Sequence, residues 1–201
     1  LNAATGAAET ITIAPKEDNP TQQTVTWLAS ASTIAGVERI RYTGTDTDDV
    51  LTANTGTGTV RATTTAGPFG GDVFISTCMP DIEFTGLNWF EVAVGDGVAD
   101  IVFETTLLRG NNDDYRLIQA YGDTSLIIQG TEGANDTFTV TNPTGSDVLA
   151  VAHGGTVVTA TSGAAALGQL RINSLGGDDF VAVDVNTGLI RVPIMFDGGA
   201  G

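Results

Sequence analysis

Short apolar stretches alternate with turns rich in Gly, Thr and Asp along the whole chain. Glu9-Thr10-Ile11-Thr12-Ile13 and Thr24-Val25-Thr26-Trp27-Leu28 have the period of two that places alternate side chains on opposite faces of a strand. Between them, Pro15 to Pro20 forms a charged loop bounded by prolines. From residue 40 a unit recurs: an apolar strand, a turn containing Gly, then an acidic residue or Thr followed at once by a new apolar strand. Ile40-Arg41-Tyr42-Thr43-Gly44 leads to Asp49-Val50, and Ile82-Glu83-Phe84-Thr85-Gly86 leads to Glu91-Val92. Leu170-Arg171-Ile172-Asn173 leads through Gly176-Gly177 to Asp179-Phe180. In these three copies the two apolar residues sit nine and seven positions before the anchor residue.

Looser copies follow Gly71-Asp72, Asp113-Asp114, Asn135-Asp136 and Gly154-Gly155. Anchors at 49, 72, 91, 114, 137, 156 and 179 are spaced by 23, 19, 23, 23, 19 and 23 residues. A near-constant period in a strand-forming chain predicts stacked coils, because each coil returns to the same place. The expected fold is all-β: a parallel β-helix or β-solenoid with coils of about 22 residues. The alternative is one or two β-sandwich domains, since strands at intervals of roughly 10 residues with turn signals also describe that fold. Residues 1–39 read as irregular N-terminal strands or a cover. Residues 40–201 read as solenoid repeats continuing beyond the C-terminal end, because Asp197-Gly198-Gly199-Ala200-Gly201 has the form of an interrupted turn. Val50-x-Thr52, Val92-x-Val94 and Phe138-x-Val140 fit inward positions. After Gly177 the phase is ambiguous between Phe180 with Ala182 and Val181 with Val183.

Composition supports strands and removes several functions. Thr and Val are abundant, Gly numbers 26, and Lys16 is the single lysine, so helix formers are scarce. The weak helical run Ser162 to Leu170 is interrupted by Gly163 and Gly168. A net charge of −16 excludes nucleic-acid binding through phosphate neutralisation and disfavours an anionic membrane surface. No apolar run reaches the roughly 18 residues that predict direct membrane insertion as a helix. The lone Cys78 has no internal disulfide partner and reads as a small buried hydrophobe.

At its turns the chain resembles bacterial extracellular and surface repeat proteins with RTX-like Gly-Asp turns. The residues that carry the resemblance are Glu132-Gly133-Ala134-Asn135-Asp136-Thr137-Phe138, Gly176-Gly177-Asp178-Asp179-Phe180 and the terminal Asp197-Gly198-Gly199-Ala200-Gly201. They are similar to degenerate forms of the family's glycine- and aspartate-rich nonapeptide, but they are scattered rather than tandem. The resemblance implies an extracellular, cell-surface β-roll or β-helix that often binds Ca²⁺ between coils. Like-charged turns stacked on one another also call for a hard cation with six to eight oxygen ligands. The expected metal ligands are Asp113, Asp114, Glu132, Asp136, Asp178 and Asp179, with Ca²⁺ as the cofactor. The other reading of the same residues is turn formation and solubility without metal.

Catalytic residues are sparse. One histidine, His153, precludes a two-histidine metal site within the chain and reads as a turn residue beside Gly154-Gly155. Phosphate-loop and nucleophile-elbow motifs are absent from the sequence. The expectation is a non-catalytic structural or adhesive segment of a large exported bacterial surface or fibre protein, stabilised by calcium. Its partners would be neighbouring domains, copies of the same protein or surface glycans. The alternative is a carbohydrate-active β-helix, a polysaccharide lyase or glycan-binding module, using Trp89 as a stacking platform near Arg109, Arg116, Tyr115 and Tyr121. A phage-tail or spike shaft is a third reading.

Overall fold

The computed structural model describes residues 8–27, 30–44, 49–67, 71–95, 97–105, 114–120, 124–143, 148–162 and 167–200. They form an all-β structure of two mixed sheets, neither closed on itself. The first sheet holds β1 (Thr10–Lys16), β2 (Asn19–Trp27), β3 (Ser30–Ala35), β5 (Val50–Asn54), β9 (Trp89–Ala93) and β11 (Asp114–Ala120). Its remaining members are β13 (Thr137–Thr141), β14 (Val148–His153), β15 (Thr156–Ser162) and β17 (Phe180–Asp184). The second sheet holds β4 (Arg39–Thr43), β6 (Val60–Ala66), β7 (Asp72–Ser76), β8 (Asp81–Thr85) and β10 (Ala99–Glu104). It is completed by β12 (Thr124–Gln129), β16 (Gln169–Asn173) and β18 (Ile194–Asp197).

From β8 to β13 the chain crosses between the sheets at every strand, so strands of one sheet pair in parallel through a crossover made by the other. β1, β5, β9, β11 and β15 form one parallel run, and β6, β10, β12, β16 and β18 form another. Antiparallel triplets interrupt the crossing at β1–β2–β3, β6–β7–β8 and β13–β14–β15.

In-register pairing lines up the inward residues. Ile11, Leu51, Phe90, Tyr115 and Val158 form one column, and Ile13, Ala53, Val92, Leu117 and Ala160 run beside it. On the facing sheet Ala62, Ile101, Leu126, Leu170 and Ile194 stand in register. The strand pattern of alternate burial in β10 and β12 follows from this arrangement. Aromatic contacts tie the sheets together: the Phe84 and Phe90 rings stack at 4.2 Å, and Phe103 stacks on Tyr115 at 4.9 Å. Each large apolar side chain fully buried this way contributes about 1.5–3 kcal/mol.

The seven sequence anchors fall at or near the starts of β5, β7, β9, β11, β13, β15 and β17. The repeat of about 22 residues is therefore a two-strand unit. It differs from the stacking distance. Paired positions are 25 residues apart between Glu91 and Arg116, 39 between Thr52 and Glu91, and 43 between Asp136 and Asp179. Inserted hairpins lengthen the longer intervals, so the spacing between stacked strands is unequal and longer than the sequence period of about 22 residues.

Two phase assignments also change or resolve. Leu51 and Ala53, not Val50 and Thr52, face inward in β5, because they pair with buried Phe90 and Val92. Two adjacent apolar residues, Val50 and Leu51, left the alternation ambiguous. In β17, Val181 and Val183 lie opposite buried Phe138 and Val140 and take the inward phase. Trp89, read as a stacking platform, is the first residue of β9. β1, within the segment read as a cover, pairs in parallel with β5 in the first sheet.

Candidate functional site at the acidic strand starts

The chemistry of this molecule concentrates where acidic residues lead into strands. At a parallel strand's first residue the preceding amide has no backbone partner, and burying it unpaired is costly. Two pairs of strands solve this in the same way. The Val50 amide donates to the Glu9 carbonyl at 2.8 Å, while the Glu9 amide donates to Asp49 Oδ1 at 3.1 Å. The Phe180 amide donates to the Asp136 carbonyl at 2.8 Å, while the Asp136 amide donates to Asp179 Oδ1 at 2.9 Å. Asp114 Oδ1 similarly accepts the Val157 amide at 2.9 Å between β11 and β15. A carboxylate thus adds one more rung to each ladder.

Asp49, Asp136 and a further acid, Asp72 at the start of β7, are buried, and each lies near a ring that bears a polar atom. Asp72 accepts a short hydrogen bond from the Tyr115 hydroxyl, linking β7 to β11 across the core. Asp49 lies near Tyr42, whose phenol is pushed far up by burial first and then by the charges of Asp49 and Glu9. Asp136 Oδ1 lies 3.0 Å from His153 Nε2, and its Oδ2 accepts the Thr131 amide at 2.7 Å. His153 is not a surface turn residue: it is buried, stacks on Phe138 at 4.4 Å, and places Nδ1 3.0 Å from Thr105 Oγ1. A side chain at Gly130 would overlap Asp136 Oδ2, so glycine is required for this loop to close.

Thr105, His153 and Asp136 have the order of a hydroxyl, an imidazole and a carboxylate, as a nucleophile, base and orienting acid would. All three are buried, and Thr105 also donates to the Gln129 carbonyl at 3.3 Å. The arrangement works as a buried polar network that fastens the turn before β13 to the ends of β10 and β14.

The expected metal ligands separate into different roles. Asp136 is spent on His153 and Thr131. Asp114 is half-buried; desolvation raises its carboxyl above the ordinary value, opposed by the Val157 amide and Arg116. Glu132 and Asp178 are exposed on turns. Asp179 gives Oδ1 to the ladder, and its Oδ2 is buried without a hydrogen-bond partner. Asp113, with Asp46, Asp48, Arg109 and Tyr121, lies outside the described residues. Among the described residues, no group of three or more His, Cys, Asp and Glu side chains converges as a metal would require.

Arg116 pairs with Glu91 at 3.3 Å rather than with Asp114 and lies over the Trp89 ring, 3.5 Å from its centroid. One face of that indole is thereby covered. Cys78 packs against the core with Sγ 3.0 Å from Ser76 Oγ, and burial pushes its thiol up, which makes it a poor nucleophile. Comparison of the chain with protein-family models, with curated proteins and with solved structures finds no match.

Proposed function

We propose that this chain is a non-catalytic structural segment of an exported surface or fibre protein, built as a stacked-coil β-solenoid with hairpins inserted in some coils. The observation that carries the reading is the pair of parallel, in-register runs on facing sheets. Acidic strand starts close the ladders at β1–β5 and β13–β17 by accepting main-chain amides. Polar chemistry is used to hold coils at fixed spacing. At about 4.8 Å per strand, the ten-stranded sheet spans roughly 40–45 Å. The mechanism is mechanical: the ladders and buried rings resist shear between coils, and exposed turns make contacts.

Calcium has one place in this reading among the described residues, the Asp178–Asp179 turn, where Asp179 Oδ2 lacks a protein partner. Two carboxylates fall short of the six to eight oxygens that Ca²⁺ takes, so a cation there would be peripheral to the ladders. For the carbohydrate-active alternative, Arg116 leaves at most one face of Trp89 for stacking. A glycan-array screen with a polysaccharide-cleavage assay tests the proposal. The structural reading expects neither binding nor turnover, and either activity abolished by Trp89→Ala would replace it.

A further inference from the structure

The two ends of the molecule differ, and they match each other. At one end the sheets finish in β3 and β4, with an open cleft between them floored by Trp27, Ile34, Val37 and Ile40 and rimmed by Arg39 and Arg41. At the other they finish in β17 and β18, where inward positions lie bare: Val183 is 48% exposed and Phe196 47%. Leu189, in the connection from β17 to β18, is 70% exposed. The acidic groups of Asp184 and Asp197 lie at the ends of these two strands.

Edge strands are normally guarded by charge, proline or bulges. β3 reads Ser-Ala-Ser-Thr-Ile-Ala and carries no charged residue or proline. β17 and β18 each carry a single acid at their last position. Direction also matches. Two antiparallel steps separate β18 from β4, and four separate β17 from β3, so in each sheet both edge strands point the same way. A copy translated along the stack would therefore present parallel edges to both sheets at once. The inward Ile194 and Phe196 of β18 would continue into the inward Ile40 and Tyr42 of β4, an Ile-x-aromatic pattern on both sides.

We propose that a second copy of this chain docks end to end, its β3–β4 cleft receiving the β17–β18 ridge of the first. This inference rests on the stacked-coil reading and adds the partner and the surfaces. Arg39 and Arg41 are already paired with Asp81 and Glu83, and Asp197 with Arg171, so strand direction and the apolar anchors carry the contact. The contact is heterologous, so it propagates into open linear assemblies. Strand addition supplies main-chain hydrogen bonds, and the apolar ridge supplies the anchors.

Sedimentation velocity over a concentration series tests it with the wild-type chain, Leu189→Asp on the ridge and Val37→Glu in the cleft. Both positions are exposed, so the fold is retained, which far-UV circular dichroism checks. The wild type forms concentration-dependent oligomers, and each variant weakens association by about tenfold or more, the scale of one lost anchor. An equimolar mixture of the two variants yields a dimer and nothing larger, because one intact cleft meets one intact ridge. A wild type that stays monomeric, or a mixture that forms no dimer, overturns the proposal. A monomer whose parallel register is intact by NMR ends this inference alone and leaves the C-terminal edge to another segment; loss of the register ends the structural reading as well.

Discussion

Asp179 and Asp136 cap each other's strands: the Asp136 amide donates to the Asp179 carboxylate at 2.9 Å, and the residue after Asp179 returns a hydrogen bond to the Asp136 carbonyl at 2.8 Å. Asp49 and Glu9 repeat the arrangement in another part of the sheet. Charge-assisted hydrogen bonds to buried amides are worth about 1.5–3 kcal/mol. Asp179→Ala is expected to lower the urea-unfolding free energy by about 1–2 kcal/mol, since Asp179 is partly exposed. Asp49→Ala, at a fully buried position, is expected to cost about 3 kcal/mol. Equal and negligible effects at both positions would show that the carboxylates are only solubilising turn residues.

His153→Phe keeps a ring against Phe138 but removes the partner of Asp136 Oδ1. A carboxylate left buried without that donor should cost about 2–4 kcal/mol. His153→Phe combined with Asp136→Asn should recover part of the loss, and a double-mutant cycle by chemical denaturation measures it. Strict additivity would deny the coupling.

The buried phenol of Tyr42 gives a pH prediction. Tyr42 holds its proton in the folded state well above the ordinary tyrosine value near 10, while the unfolded chain releases it there. The stability this contributes is complete below about pH 10 and is lost as pH rises beyond it. Tyr42→Phe should flatten the alkaline fall in stability, and an unchanged slope would contradict the assignment. Asp114 has the same sign at acid pH: its raised carboxyl favours the folded state below the ordinary carboxylate range and penalises it above. Asp114→Asn, which keeps an acceptor for the Val157 amide, should therefore be neutral or stabilising at pH 7. The comparison with the parent should reverse or vanish below about pH 4.

Calcium removal tests how much of the turn chemistry belongs to metal. With Asp49, Asp72 and Asp136 engaged by protein donors, EDTA should leave the thermal midpoint nearly unchanged. A native-state ligand at 100 times its Kd adds about 2.7 kcal/mol. A calcium-dependent rise on that scale would assign to bound metal the stability here given to the ladders.

Much of the fold was legible in the chain. Period-two alternation at Ile11-x-Ile13 and the recurring acid before a strand marked an all-β structure and a repeating two-strand unit. The stacking interval was not legible, because a hairpin such as β7 carries the same turn and strand signals as a coil that crosses between sheets. The burial of Asp49, Asp72 and Asp136 was equally hidden: an acid at a polar turn normally signals exposure, and for Asp72 the ring donor Tyr115 lies far along the chain. His153 did leave a signal. Leu149, Val151 and His153 share one phase of β14, and continuing that phase would have placed the imidazole inside.

The central claim is that strands distant in sequence stack in parallel and in register. Inter-strand nuclear Overhauser contacts in the isotopically labelled chain measure this directly. The expected result is a set of parallel-ladder contacts joining Leu51 to Phe90, Phe90 to Tyr115, and Tyr115 to Val158. Antiparallel contacts from Phe90 to the strands immediately before or after it in sequence would contradict it and replace the stacked coils with a hairpin-built sandwich.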